Sequence, residues 1–224
     1  MSTSQNASLA KLSAASRDAL QLTPVELIVD QRIYEAGQPP EWVYFPDSGV
    51  ISVVEVFHDG SMVEVETIGR ESIAGSFLLL GAESIPFRAF VQVAGTGFKT
   101  TASRFLKAAS ADGEIRAAAL EAEYALRVQS MQNSACNVMH SIEQRCCRWL
   151  LMARDRVDSN DLKLTHEFLA MMLGVRRASV SEVIRPLHDA GVIRGGRGVI
   201  SILNRSALER MACECYARIA AHED

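Results

Sequence analysis

The sequence predicts an α+β chain in three parts: a β-rich N-terminal half, one long helix, and a C-terminal helical module closed by a short strand hairpin. Three observations carry that prediction. Short runs of β-branched and aromatic residues, punctuated by Gly, Pro and Asp, fill residues 25 to 101. Residues 114 to about 154 contain neither Gly nor Pro. From Leu164 onward, two helical patterns flank Gly174 and lead into a glycine-rich pair of strands.

Residues 6 to 20, with Leu9, Leu12 and Leu20 among small side chains, read as one or two short helices. Strands are predicted at Val25–Val29, Trp42–Phe45, Val50–Phe57, Met62–Ile68 and Phe87–Val93. Turn signals separate them at Gly37-Gln38-Pro39-Pro40, Pro46-Asp47-Ser48-Gly49 and His58-Asp59-Gly60-Ser61. Val63 to Glu66 alternates in period two, the mark of a half-exposed strand. Several short strands at near-regular spacing predict a sandwich, jelly roll or barrel.

In the long helical stretch, Leu120, Tyr124, Val128, Met131, Ala135, Val138 and Ile142 recur at steps of three and four, drawing a narrow apolar seam flanked by Gln129, Gln132, Asn133 and Asn137. A two-helix interface and one side of a helix packed on its own β-domain both account for such a seam.

Leu164 to Ile184 has the layout of a helix-turn-helix. Thr165 can cap the first helix, Ala170 is small where the helices cross, Gly174 supplies the turn and Val180 anchors the second helix on the first. On that second helix Val180, Val183, Ile184 and Leu187 face inward, which leaves Arg177, Ser181 and Arg185, beside Ala178 and Glu182, facing out. An Arg suits guanine O6 and N7, and a Glu accepts from cytosine N4, so this face can read base edges. Arg176, Ser179 and Arg185 are placed for phosphates. Pro186 removes a backbone donor late in the helix and predicts a kink or local break. Ile193-Arg194, the turn Gly195-Gly196-Arg197-Gly198 and Val199 to Leu203 then form a wing whose Arg197 can reach a phosphate or the minor groove. Asn204 caps a last helix from Ser206 to about Ala221.

The charge balance at first speaks against a polyanionic partner: 23 Lys+Arg against 27 Asp+Glu gives −4 over 224 residues. Resolved by region, residues 1 to 139 carry −6 and residues 163 to 205 carry +4, an acidic body with a basic end. Hydrophobic residues at 48% and charged residues at 22% fit a globular chain. The five cysteines, Cys136, Cys146, Cys147, Cys213 and Cys215, are an odd count in stretches that read as helix, so no disulfide framework is expected. Cys213 and Cys215, two apart on one helix, should face different ways as packing residues, and the five histidines show no ligand spacing; neither a metal nor a cofactor is expected. No signal peptide and no apolar run of membrane-spanning length is present, which places the chain in the cytoplasm and away from membranes.

The β-rich half with Val43-Tyr44-Phe45-Pro46-Asp47-Ser48-Gly49-Val50-Ile51-Ser52, the long helix and the winged helix-turn-helix together resemble the Crp/Fnr family of bacterial transcription regulators, from about Leu9 to Tyr216. The resemblance implies a double-stranded β-helix (jelly roll) sensor resembling a cyclic-nucleotide-binding domain over residues 1–111, a dimerisation helix over 112–139 and a winged helix-turn-helix DNA-binding domain over 140–224. It implies a homodimer on a pseudo-palindromic operator, half-sites ~34 Å apart, with RNA polymerase as a further partner. It places the effector pocket at Gly75, Ser76, Arg88 and Ser130, where Ser76 stands at the family's ribose-binding Glu and Arg88 is displaced from the phosphate-binding Arg position. Cyclic AMP is therefore not the expected effector, because a buried phosphate without its cation is costly. The N-terminal cysteine group of the iron-sulfur branch is missing. Two rivals stay open: a cupin-like enzyme with an accessory C-terminal module, against which residues 25 to 101 hold only His58 as a histidine ligand, and a regulator that needs no effector.

Overall fold

The computed structural model describes residues 4–196 and 198–222. Asn6 and Ser13 cap two short helices, α1 (Ala7–Ala10) and α2 (Ala14–Leu20), which bury Leu9 and Leu20 completely. Seven strands follow: β1 (Thr23–Leu27), β2 (Arg32–Tyr34), β3 (Trp42–Pro46), β4 (Val50–Val56), β5 (Met62–Ile68), β6 (Arg88–Val93) and β7 (Gly95–Thr101). They pair antiparallel in two sheets, β1-β7-β3 and β2-β6-β4-β5, the expected jelly roll. At one corner Gly95 lies against the backbone of Ser48 and Gly49 with no space for a Cβ, and Gly49 itself adopts φ 94°.

Thr101 caps α3 (Ala102–Ala111), a helix the sequence left unassigned. Asp112 accepts from the backbone N–H groups of Glu114 and Ile115 and starts α4 (Gly113–Met139). One face of α4, with Ile115, Ala118, Ala119, Ala122 and Leu126, is buried in the jelly roll's cores. Farther along, two amides close the edge of the four-stranded sheet. Gln129 accepts from Thr67 N–H at 2.7 Å and donates to Thr67 C=O at 3.1 Å, and Asn133 donates to Val65 C=O at 3.0 Å. Backbone groups of β5 that no strand pairs are thereby satisfied. The apolar seam lies on a different face, where Tyr124, Met131 and Val138 are 61%, 63% and 83% exposed. The α4 helix stops at His140, which is extended, so Ile142 belongs to the next helix and not to the seam.

That next helix, α5 (Ile142–Asp155), begins with a capping box between Ser141 and Gln144. Every residue from Arg145 to Ala153 is buried, because the helix is surrounded by the jelly roll, by α4 and by the C-terminal module. Several of its polar groups are paired across those boundaries, although Arg145 Nε and Arg148 Nε are buried without a partner among the described residues. Trp149 Nε1 donates to Glu64 at 2.8 Å, Ser52 donates to the other Glu64 oxygen at 2.6 Å, and Arg148 donates to Asn133 at 2.6 Å. Just beyond, Arg156 reaches Glu71 at 2.8 Å and Thr67 at 2.7 Å. The expected half-exposed strand is therefore covered, with Glu64 on β5 only 8% exposed.

The C-terminal module runs β8 (Asp161–Lys163), α6 (His166–Leu173), α7 (Arg177–Asp189), β9 (Ile193–Gly196), β10 (Val199–Ile202), α8 (Arg205–Met211) and α9 (Cys215–Ala220). The wing is a three-stranded sheet, β8-β10-β9, in which β8 was not foreseen. The single last helix is replaced by two, because the chain extends at Ala212 and brings Cys213 out of helical geometry. Pro186 causes no break: α7 continues to Asp189. Pro186 is exposed, so the C=O of Glu182 that loses its partner faces water rather than core.

Burial pushes the Glu64 carboxyl up to about 7 from an ordinary 4.5. The folded chain holds that proton more tightly than the unfolded chain, so the stabilisation is complete below the unfolded value and is lost as pH rises through 7, a loss on the order of 3 kcal/mol. Urea midpoints measured from about pH 5 to about pH 8 should fall for the wild type and fall less for Glu64→Gln. Parallel profiles for the two proteins would show that Glu64 does not carry this dependence.

Candidate nucleic-acid interface

Thr165 accepts from Phe168 N–H and caps α6, and Gly174 closes it in the left-handed region at φ 62°. This turn sets α7 across α6. Val180, Ile184 and Leu187 are buried, and Val183 is half-buried. The opposite face is open: Arg176, Arg177, Ala178, Ser181, Glu182 and Arg185 are exposed, and Ser179 is half-buried. Arg176 occupies the N-cap position, so the positive end of the helix dipole and the Arg176 charge fall together, a combination that favours negative charge nearby. The expected residues therefore form one surface, with Arg197 outside the described residues.

Between α7 and the wing runs a groove of 610 Å³, lined by His166, Arg177, Ser181, Arg185, His188 and Gly196 among others. His166 Nδ1 lies 3.1 Å from Ser181 Oγ, linking α6 to the exposed line of α7. Sequence reasoning missed both histidines. His188 continues the row Arg177, Ser181, Arg185 by three residues, a spacing that could have revealed it. The cations of this face have only loose partners: Arg177 is 3.9 Å from Glu167 and Arg185 is 3.9 Å from Asp189, all largely exposed. Arg205 belongs to the fold instead, held by Asp155, Glu209 and Tyr216. Lys163 and Arg194 add exposed charge on the wing strands.

The residues assigned to an effector pocket divide. Gly75 and Ser76 are buried, and Ser76 donates to Glu123 at 2.7 Å. Ser130 bonds to Glu66, whose carboxyl is pushed up to about 7 by burial and by the like charge of Glu123. Two carboxylates that the sequence reading missed thus sit where Ser76 and Ser130 converge. Arg88 is turned to Glu35 through two hydrogen bonds of 2.9 and 2.7 Å, which neutralise its charge. Among the described residues, the metal-capable group of Cys and His side chains lies outside the jelly roll, at the end of α4 and between α8 and α9.

Residues 144–211 match the family model described as a Crp-like helix-turn-helix domain. The sequence has no match among curated proteins. The fold is similar to that of FixK2 from Bradyrhizobium japonicum, with 19% identity, 86% of this chain and 98% of that chain covered, and a TM-score of 0.71. TTHB099, a transcriptional regulator of the CRP family from Thermus thermophilus, is 20% identical over 84% of this chain and 96% of its own, with a TM-score of 0.69. The c-di-GMP responsive global regulator CLP of Xanthomonas campestris is 14% identical over 85% and 99%, with a TM-score of 0.64.

The two faces of α7 differ in what they contribute to stability, since one is buried and the other is open. Leu187→Ala should lower unfolding free energy by about 2–5 kcal/mol, and Glu182→Ala should change it by less than about 0.5 kcal/mol, both measured by chemical denaturation. A similar cost for the two would mean that the exposed face carries structural load.

Proposed function

We propose that this chain is a transcription regulator of the Crp/Fnr type, that it binds DNA through the segment matching the Crp-like helix-turn-helix model, and that it acts as a homodimer on a pseudo-palindromic operator. The observation that carries the DNA-reading role is the exposed row Arg177, Ser181, Arg185 on a helix whose other face is buried. Placed in a major groove, Arg177 and Glu182 meet base edges, and Arg176, Ser179 and Arg185 meet phosphates. The wing, with Arg194 and Arg197, lies along the adjacent backbone. Binding of this kind releases counterions and weakens steeply with salt.

The dimer rests on α4. A helix that leaves Leu120, Tyr124, Met131 and Val138 in water presents more apolar surface than an isolated helix tolerates, and a second copy of the same seam covers it isologously. Two α7 helices related by that axis would enter successive major grooves, ~34 Å apart.

The jelly roll serves as the sensor, for an effector other than cyclic AMP. Support comes from the charges in place: Arg88 is already neutralised by Glu35, and Glu66 and Glu123 would repel a phosphate beside Ser76 and Ser130. An effector bound there changes the pose of the reading heads by favouring one arrangement of α4 and α5 over another. Five free thiols and a DNA partner fit the cytoplasm. No helix among the described residues is long and apolar enough to cross a membrane.

Arg177→Ala should weaken binding to a selected operator by about 1–3 kcal/mol and relax preference at one base position per half-site, read by fluorescence anisotropy on operator and scrambled DNA. Equal affinities for wild type and variant would remove Arg177 from the reading surface. Independently, Met131→Asp should convert the dimer to monomers in sedimentation velocity, and a variant that sediments as the wild-type dimer would place the interface elsewhere.

A further inference from the structure

Four side chains far apart in sequence converge behind the DNA-binding module. Cys136 lies in the last turn of α4, and His140, four residues on, is its C-cap and donates its N–H to the Cys136 C=O at 3.1 Å. Cys213 lies in the extended break between α8 and α9, and Cys215 opens α9. Cys136 Sγ is 3.5 Å from Cys213 Sγ, Cys215 Sγ is 3.6 Å from His140 Nδ1, and all four donor atoms lie within 4.8 Å of one another. A tetrahedral zinc with Zn–S near 2.3 Å and Zn–N near 2.0 Å holds its ligand atoms about 3.5–3.8 Å apart. Two edges of the tetrahedron are at that spacing, and the widest has to close by about 1 Å at most.

The surroundings are those of a ligand set. The three sulfurs are almost completely shielded from water and form a small cluster of their own, separate from the apolar cores. His140 Nε2 lies 3.2 Å from the Glu214 carboxylate. A carboxylate on the far nitrogen fixes the tautomer that leaves the Nδ1 lone pair facing the sulfurs. Gln132 Nε2 donates to Cys215 Sγ at 3.0 Å, and the guanidinium charges of Arg145 and Arg148 act on Cys136 and Cys213. Three thiolates, a neutral imidazole and a divalent ion leave a single net negative charge, which those guanidiniums offset.

We propose that Cys136, His140, Cys213 and Cys215 form a structural Cys3His site for zinc. Four protein ligands leave no open coordination position, so the ion staples rather than catalyses. What it staples is specific: the C-terminal tail of the DNA-binding module to the last turn of α4, immediately before the break at Ser141. The swivel between sensor and reading head is thereby held at a second point beside α5. The expectation that Cys213 and Cys215 point apart fails because they do not share a helix, and His140 acquires ligand spacing from Cys136, four residues before it.

Full-length protein purified under reducing conditions without chelator should contain one zinc per chain by inductively coupled plasma mass spectrometry. Cys213→Ser and His140→Ala should each lose most of it, while Cys146→Ser and Cys147→Ser, whose thiols lie in the α5 core, should keep it. Because a ligand variant can misfold, the wild type provides a second reading. Exchange of its zinc for cobalt should give the thiolate-to-cobalt absorption and visible bands of a tetrahedral site, and stripping should expose three further thiols to a disulfide reagent. Folded, reduced protein with neither zinc nor a cobalt–thiolate spectrum would overturn the proposal. Full zinc retention by Cys213→Ser, or a Cys136–Cys213 disulfide in metal-free native protein, would do the same.

Discussion

The arrangement of the whole chain depends on the burial of α5. A helix buried on all sides over Arg145 to Ala153 has to be enclosed by other parts of the molecule. The jelly roll supplies one wall through Val50, Val54, Phe90 and Val93, and the helix-turn-helix supplies another through Leu169, Val180 and Leu187. Phe90 and Phe168 meet edge to face at 6.2 Å across the same boundary. Burying two arginines and a tryptophan in such a place is costly, and Glu64, Asn133 and Asn137 offset part of that cost by accepting from Trp149 Nε1, Arg148 and Arg145, while Nε of each arginine stays buried without a partner among the described residues. The jelly roll and the C-terminal module therefore share one core, and a change in either is felt at the packing of α5.

The two polar faces of the joint give it different properties. Near β5, the Gln129 and Asn133 amides bind backbone groups of a sheet edge and the Arg156 guanidinium binds the Thr67 hydroxyl beside them, which fixes register and leaves little freedom. Near Glu66 and Glu123, two half-buried carboxylates lie close together, and burial followed by the like charge of Glu123 pushes the Glu66 carboxyl up to about 7. Glu123 and Ser130 are both residues of α4, so this second region joins the long helix to the jelly roll.

Much of the fold was legible because its signals are local. Val180, Ile184 and Leu187 recur at helical spacing, Gly174 marks the turn, and the turn residues between strands mark the corners of the jelly roll. The break at His140 was hidden, since neither Gly nor Pro announces it and the seam's period runs on into Ile142. β8 is three residues long with only Leu162 buried, too short to show alternation. The exposed row Arg177, Ser181 and Arg185 on α7 was legible for the same reason as the helix. The partners of Arg88 and Ser76 were not: Glu35 lies 53 residues away and Glu123 lies 47 residues away, and only the folded chain brings them together. The cysteine cluster joins positions 77 residues apart and follows from a helix end invisible in the sequence.

The central claim is that two copies of α7, related by the α4 seam, read DNA together. Selection of preferred sequences from a random duplex pool tests it most directly. The expected product is an inverted repeat whose half-sites are centred about 10–10.5 base pairs apart. Enrichment of a single unrepeated half-site, or no enrichment over the starting pool, would contradict it.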